Sequence, residues 1–159
     1  PVCGFNFGAK RYDRVLESYR FSLKVGIILI TVLGVAAYFV APQVMTWFRA
    51  EDEQVIEIGI NALRFQCFTL PLQAVMMLSQ FLCQSIGYGI RAAVIAMGRQ
   101  GLFLIPAYLL LPRFLGITGL EIAQPCSDVI TAILSILIMI GVYRRLKALE
   151  KHQPSPLPA

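Results

Sequence analysis

Long stretches without charged side chains dominate the hydropathy pattern of this 159-residue chain. These stretches are too long, and too uniformly apolar, for the alternating strands of a membrane barrel. About 20 apolar residues cross the hydrocarbon core as a helix, which satisfies its own backbone polar groups in lipid. The pattern therefore predicts an all-α integral membrane protein with four transmembrane helices. The predicted spans are 25–48, 58–90, 91–112 and 120–143.

The segments around these spans carry most of the charge and set the predicted topology. Most of the 14 basic residues fall before the first span, between the second and third spans, and after the fourth. By the positive-inside rule, these segments and both ends of the chain are cytoplasmic. The predicted segments are the end of a preceding helix with its turn at 1–9, a cytoplasmic amphipathic helix at 10–24, an external acidic loop at 49–57, an external loop at 113–119, and a cytoplasmic basic, proline-rich tail at 144–159.

Composition supports the membrane assignment and narrows the class of function. Hydrophobic residues make up 57% of the chain and charged residues only 14%, whereas a soluble domain averages about 25% charged residues. The net charge of +5 lies at the ends of apolar runs, so it predicts no nucleic-acid partner. The cysteines show no paired spacing, so we expect no disulfide and no metal site. They are Cys3, Cys67, Cys83 and Cys126.

Four glutamines form a polar stripe along the second predicted span. Gln66, Gln73, Gln80 and Gln84 are separated by seven, seven and four residues, so they fall within about 40° of one another on a helix. Each amide carries two donors and an acceptor, and the stripe could therefore line a water-filled pathway for a chemically varied solute. The alternative is that these amides hydrogen-bond to neighbouring helices.

Asp128 is the only acidic residue in the apolar run 122–143 of the fourth predicted span. If this helix begins near Thr118, the carboxylate lies about 15 Å from its start, close to the membrane midplane. Asp128 is then a candidate carrier of a proton or sodium ion. Alternatively, the membrane helix begins at Pro125, and Asp128 caps its first turn. The sequence leaves both interpretations open.

No motif for chemistry on a substrate is present. The chain lacks the metalloprotease, nucleophile-elbow, P-loop and dinucleotide-binding patterns. Its single histidine, His152, lies in the tail. We therefore expect that the protein is not an enzyme and needs no cofactor.

The beginning of the chain resembles a known family signature. Gly4, Asn6, Gly8 and Ala9, within Gly-Phe-Asn-Phe-Gly-Ala-Lys-Arg, resemble the glycine-asparagine-glycine-alanine signature of the multidrug and toxic compound extrusion (MATE) transporters. Further stretches in the same order are similar to the last two helices of that family. They are Arg-Gln-Gly at 99–101, Leu-Pro at 111–112, Gly-Ile-Thr-Gly at 116–119 and Ala-Gln-Pro-Cys-Ser-Asp at 123–128.

The resemblance implies the last four helices of a twelve-helix, two-lobed transporter of the cell membrane. The resemblance also implies which partners the protein has: the lipid bilayer, an N-terminal lobe of the same chain, and small organic, often cationic substrates. Members of the MATE family exchange such compounds for Na⁺ or H⁺. By the same resemblance, the glutamine stripe would lie on the tenth helix of the transporter, beside the central cleft. Some branches carry a cation-binding acid in that helix, but 65–90 contains none, so the carrier would be Asp128 or an acid in the other lobe. The alternatives are a lipid-linked oligosaccharide flippase of the same superfamily and, from a different class, a membrane-embedded enzyme.

Overall fold

The fold is a bundle of long helices, seen in a computed structural model that describes residues 1–48 and 53–151. Every regular element in this part of the chain is helical, which confirms the predicted all-α class. Four stretches are long and apolar enough to span a membrane: Tyr12–Trp47, Ile56–Ser85, Gly89–Leu115 and Ile117–Lys151. The helices are α1 (Val2–Gly8), α2 (Tyr12–Phe48), α3 (Glu53–Ser85), α4 (Gly89–Met97), α5 (Leu104–Leu115) and α6 (Ile117–Lys151), with a π-helical segment at Gly98–Leu102 between α4 and α5.

The predicted amphipathic helix at 10–24 is not a separate element. It continues into the first span as one 37-residue helix, Tyr12–Phe48. Charged side chains such as Lys24 do not interrupt a helical backbone, and the first proline within α2 comes only at Pro42. Val15 and Leu16 are buried against α3 and α6 rather than turned towards a lipid surface. This part of α2 therefore packs on protein.

The third predicted span, 91–112, is divided by a change of helix type. Phe103 donates its backbone N–H to the carbonyl of Gly98 at 3.3 Å, which is the i to i−5 bond of a π turn. Pro106 has no N–H to donate to the carbonyl of Leu102, so one α-helical hydrogen bond is missing directly after the π turn. Gly98 also permits a close approach to α6, since an added Cβ would lie 3.3 Å from Thr131 Cγ2.

Several predicted loops are shorter than the sequence indicated. The external loop at 113–119 is reduced to Gly116, whose φ of 60° lets α5 and α6 meet directly. The predicted second span ends at residue 90, whereas α3 ends at Ser85 and the chain turns at Gly87, with φ 81°. Residues 53–57 of the acidic loop and 144–151 of the tail are helical, because no proline or glycine stops either helix there. Residues 49–52 and 152–159, including His152, lie outside the described part.

The centre of the bundle is formed by α3 and α6. Helix α3 contacts α2, α4 and α6, whereas α6 also packs against α5. The larger apolar cluster lies at the ends where α3 finishes and α2 begins. Its members are Val15, Leu16, Leu82, Cys83, Ile86, Ala92, Met139, Val142 and Leu146. A smaller cluster of Met76, Ile95 and Ala132 joins α3, α4 and α6. This packing fixes the rotation of α3 relative to α6, and with it the facing polar residues.

Replacing Gly119 by alanine is expected to destabilise the protein by about 1–3 kcal/mol. An added Cβ would overlap the backbone of Leu111 and Pro112 where α5 and α6 meet. Gly141 of α6 has open space around its Cβ position, so Gly141→Ala is the matched control and should be neutral or slightly stabilising. Thermal unfolding of the purified full-length variants measures this difference. Equal melting temperatures would contradict the close approach.

Candidate functional site

Asp128 lies inside α6, fully buried at 0% exposure. The helix begins at Ile117 and continues through Pro125, so the carboxylate lies eleven residues, about 16 Å, from its start. The alternative in which the helix begins at Pro125 and Asp128 caps it is therefore wrong. A proline can be accommodated within a transmembrane helix, because neighbouring groups satisfy the carbonyl that its missing N–H leaves free.

The carboxylate of Asp128 accepts hydrogen bonds from α3 and from its own helix. Oδ2 accepts from Gln66 Nε2 and Gln73 Nε2, both at 3.0 Å, and lies 3.4 Å from Thr69 Oγ1. Oδ1 accepts from Gln124 Nε2 at 3.1 Å. The Thr69 hydroxyl also donates to the backbone carbonyl of Gln66 at 3.0 Å, so its contact with Asp128 is the weakest. We refer to Gln66, Thr69, Gln73, Gln124 and Asp128 as the amide–carboxylate cluster.

Helical spacing explains how the cluster assembles. Gln66, Thr69 and Gln73 follow the i, i+3, i+7 spacing that places them on one face of α3. Gln124 precedes Asp128 by four residues, so its amide reaches back along α6 to the carboxylate. Asp128 is thus held by two helices, with three of its four recorded contacts coming from α3.

The electrostatic character of the cluster is unusual for a buried charge. All recorded donors to Asp128 are amides and a hydroxyl, and no arginine, lysine or histidine contacts it among the described residues. A carboxylate in a low-dielectric interior is costly unless donors or a counter-ion compensate it. Arg64, two residues before Gln66 on α3, places its guanidinium 5.0 Å from the centre of the Tyr38 ring.

The four glutamines of the stripe divide into two pairs. Gln66 and Gln73 belong to the cluster, so for them the helix–helix hydrogen bonding weighed in the sequence is what the structure shows. Gln80 is half-buried and Gln84 is exposed, and neither makes a recorded hydrogen bond to Asp128. Gln84 lines a different cavity, near Cys3 at the end of α3.

Sequence reasoning missed Thr69 and Gln124 as members of the cluster. Both carried a usable signal: each stands at helical spacing from a residue that was selected, Thr69 three after Gln66 and Gln124 four before Asp128. Sequence reasoning also treated the glutamine stripe and Asp128 as independent features. Which helix faces which cannot be read from the pattern of a single helix.

The glycine-asparagine signature forms the end of α1 and the turn into α2. The side-chain amide of Asn6 donates to the backbone carbonyl of Val2 at 2.9 Å. The backbone carbonyl of Asn6 accepts from the backbone N–H of Arg11 at 2.8 Å. At Gly4 an added Cβ would lie 3.0 Å from the carbonyl oxygen of Ser85, so α1 lies tightly against the end of α3. Gly8 has open space at its Cβ position, and Ala9 is the C-cap residue of α1.

Metal-ligating side chains are dispersed. Residues 1–48 and 53–151 contain no group of three or more histidines, cysteines or acids able to hold a metal ion. Cys83 is buried, and Cys3, Cys67 and Cys126 are half-buried, all as free thiols.

Comparison with known protein families shows that residues 1–109 match the model of the MatE family. The chain belongs to the MatE family. A solved structure described as the inward-facing conformation of a multidrug resistance MATE family transporter of the MOP superfamily is similar to it, with a TM-score of 0.84 and 21% sequence identity. The similarity covers 96% of this MatE chain but 35% of that transporter. A search of curated proteins finds no match.

At 21% identity, the structural match shows the fold alone, which is that of a multi-pass membrane protein. The chain spans about a third of the length of the matched transporter. The activity and substrates of the whole protein are therefore treated as proposals.

Proposed function

We propose that this MatE chain forms the C-terminal four helices of a secondary exporter in the cell membrane. The exporter exchanges small organic, often cationic compounds for Na⁺ or H⁺, and Asp128 carries the coupling ion. The observation that supports this role is the fully buried carboxylate, which has amide donors from two helices and no basic side chain among its recorded partners. Ionisable residues inside a membrane are expensive to bury and typically mark ion pathways.

The amide–carboxylate cluster has the chemistry to serve both an empty and an occupied state. A glutamine amide donates through nitrogen and accepts through oxygen. With Asp128 charged, the amides of Gln66 and Gln73 donate to Oδ2, as described above. A proton at Oδ1, which has a single recorded donor, leaves those bonds in place but weakens them, since a neutral acceptor binds donors less strongly. For Na⁺, rotation of an amide would present its oxygen as a ligand.

Occupation of Asp128 would change the attraction between α3 and α6. Charge-assisted hydrogen bonds contribute about 1.5–3 kcal/mol each, roughly twice the value of neutral ones. Gln66 and Gln73 make such bonds across the interface between the two helices, so neutralising the carboxylate weakens the interface at the level of the cluster. An ion can shift a conformational equilibrium only through such a difference between states.

The substrate would interact with polar side chains that the cluster leaves free. Gln80 and Gln84 remain candidates for the substrate pathway, because neither amide is engaged with Asp128. We place both ends of the described chain on the cytoplasmic side, on the basis of the basic residues that flank the spans. The N-terminal lobe of the same protein would enclose the other side of the pathway.

The proposal predicts drug efflux by the full-length protein. Expressed in an efflux-deficient bacterial strain, it should lower ethidium retention and raise tolerance to cationic drugs relative to an empty vector. Asp128→Asn, expressed to the same level in the membrane, serves as the matched control and should behave like the vector. Retention and tolerance equal to the vector control for the wild-type protein would contradict the transport function.

A further inference from the structure

A second polar feature lies at the other end of α6, beside a cavity of about 670 Å³ between α2, α3 and α6. The walls of this cavity are apolar, with Val75 on α3 and Ile136 and Ile140 on α6. None of the four glutamines lines it. The cavity therefore belongs neither to the amide–carboxylate cluster nor to the proposed substrate pathway.

One end of this cavity is basic. Arg144, Lys147 and Lys151 line it together; their spacing of three and four residues places them on one side of α6, over about 10 Å. No acidic residue lines the cavity among the described residues. All three cations are exposed, so their charge is available to a ligand.

The boundary between the apolar walls and the basic end is marked by tyrosines. Tyr19 and Tyr143 both line the cavity, and Tyr19 makes a 3.0 Å hydrogen bond with Ser79 Oγ. Tyrosines are enriched at the depth of lipid headgroups, where the ring contacts hydrocarbon and the hydroxyl contacts polar groups. The order of the lining residues, from the apolar wall through the tyrosines to lysine and arginine, matches the chemical profile of one membrane leaflet.

We propose that this cavity binds one anionic phospholipid of the cytoplasmic leaflet. Its phosphate would contact Arg144 and Lys151, while an acyl chain follows Ile136 and Ile140. Basic pockets between helices on the cytoplasmic side of a membrane bind acidic headgroups. The positive charge of Arg144, Lys147 and Lys151 would repel a cationic drug from this cavity. Lys147 also lines a neighbouring cavity with Asp13 and Glu17, so Arg144 and Lys151 carry most of the selectivity. The proposal does not depend on the transport activity proposed above.

The contact is tested by photocrosslinking from within the cavity. The full-length protein with p-benzoylphenylalanine at Ile140 is placed in phosphatidylcholine nanodiscs that contain a small fraction of phosphatidylglycerol, and is then irradiated. Mass spectrometry should identify phosphatidylglycerol attached at this position, in excess of its share of the lipid. Attachment to another segment of the protein would overturn the proposal, because the cavity would then be filled by polypeptide.

The role of the cations is tested by charge removal. Each basic residue near an anionic lipid contributes a factor of about five to binding, so Arg144→Gln with Lys151→Gln should lower the preference for phosphatidylglycerol over phosphatidylcholine roughly 25-fold. Arg11→Gln with Arg14→Gln removes the same charge from exposed positions that do not line the cavity, and should leave the preference close to wild type. An equal loss in both double variants would show general surface attraction and overturn the site.

Discussion

Replacing Asp128 by leucine is expected to destabilise the protein by roughly 3 kcal/mol or more, whereas asparagine is expected to cost about 1 kcal/mol. Leucine removes the acceptor for the amides of Gln66, Gln73 and Gln124. A buried donor without an acceptor costs about 1–3 kcal/mol. Asparagine keeps one carbonyl oxygen, to which the donors of α3 can still bind.

Thermal unfolding of the purified full-length protein measures this difference. Cys83 is a suitable reporter once the other cysteines of the protein are replaced by alanine, because Cys3, Cys67 and Cys126 are half-buried and would react in the folded state. The Cys83 thiol is buried at the packed ends of α2, α3 and α6, so it reacts with a thiol-specific dye only after opening. The apparent Tm should fall in the order wild type, Asp128→Asn, Asp128→Leu. If the leucine variant melted at or above the temperature of the asparagine variant, the three amides would have other acceptors and the cluster as described would be wrong.

Replacing Gln73 by leucine is expected to lower gradient-driven transport about tenfold or more, because a hydrogen bond to a charged acceptor contributes about 1.5–3 kcal/mol. Gln73 donates to Asp128 at 3.0 Å, so its loss changes the balance between the free carboxylate and the ion-bound state. Gln80→Leu is the matched control: it lies on the same stripe of α3 but makes no recorded contact with Asp128. It should retain the coupled rate and change only which compounds are exported.

The pair is compared in proteoliposomes at equal protein density, with several substrates and a range of ion concentrations. Gln73→Leu should alter the ion dependence for every substrate, whereas Gln80→Leu should alter the relative rates of different substrates. Similar profiles for the two variants would show that the stripe acts as one surface. The division of the four glutamines between coupling and substrate pathway would then be wrong.

The fold class was predictable because lipid allows few solutions. Long uncharged runs predict helices, and the signature at Gly4, Asn6, Gly8 and Ala9 led to the family that residues 1–109 match. Boundaries were less predictable, since they depend on tertiary contacts. Val15 and Leu16 have the spacing of a surface helix, yet they pack against α6. The π turn before Pro106 combines a missing N–H with a close contact at Thr131.

The candidate site was predictable in its parts but not in its assembly. The sequence singled out Asp128 and the face of α3 that bears Gln66 and Gln73. It could not show that this face points at α6, because the rotation of each helix is set by apolar packing such as that of Met76, Ile95 and Ala132. Only the three-dimensional arrangement shows that the acid and the amides form one cluster.

The central claim, that Asp128 carries the coupling ion, is tested most directly by ion-driven uptake in proteoliposomes. Full-length wild-type protein and Asp128→Asn are reconstituted in parallel, and a Na⁺ or H⁺ gradient is imposed while uptake of a fluorescent cationic drug is recorded. Equilibrium binding of the same drug is measured in detergent as a control for folding. We predict that the wild type responds to one of the two gradients, and that Asp128→Asn binds the drug but responds to neither. Gradient-driven uptake by Asp128→Asn at the wild-type rate would contradict the account.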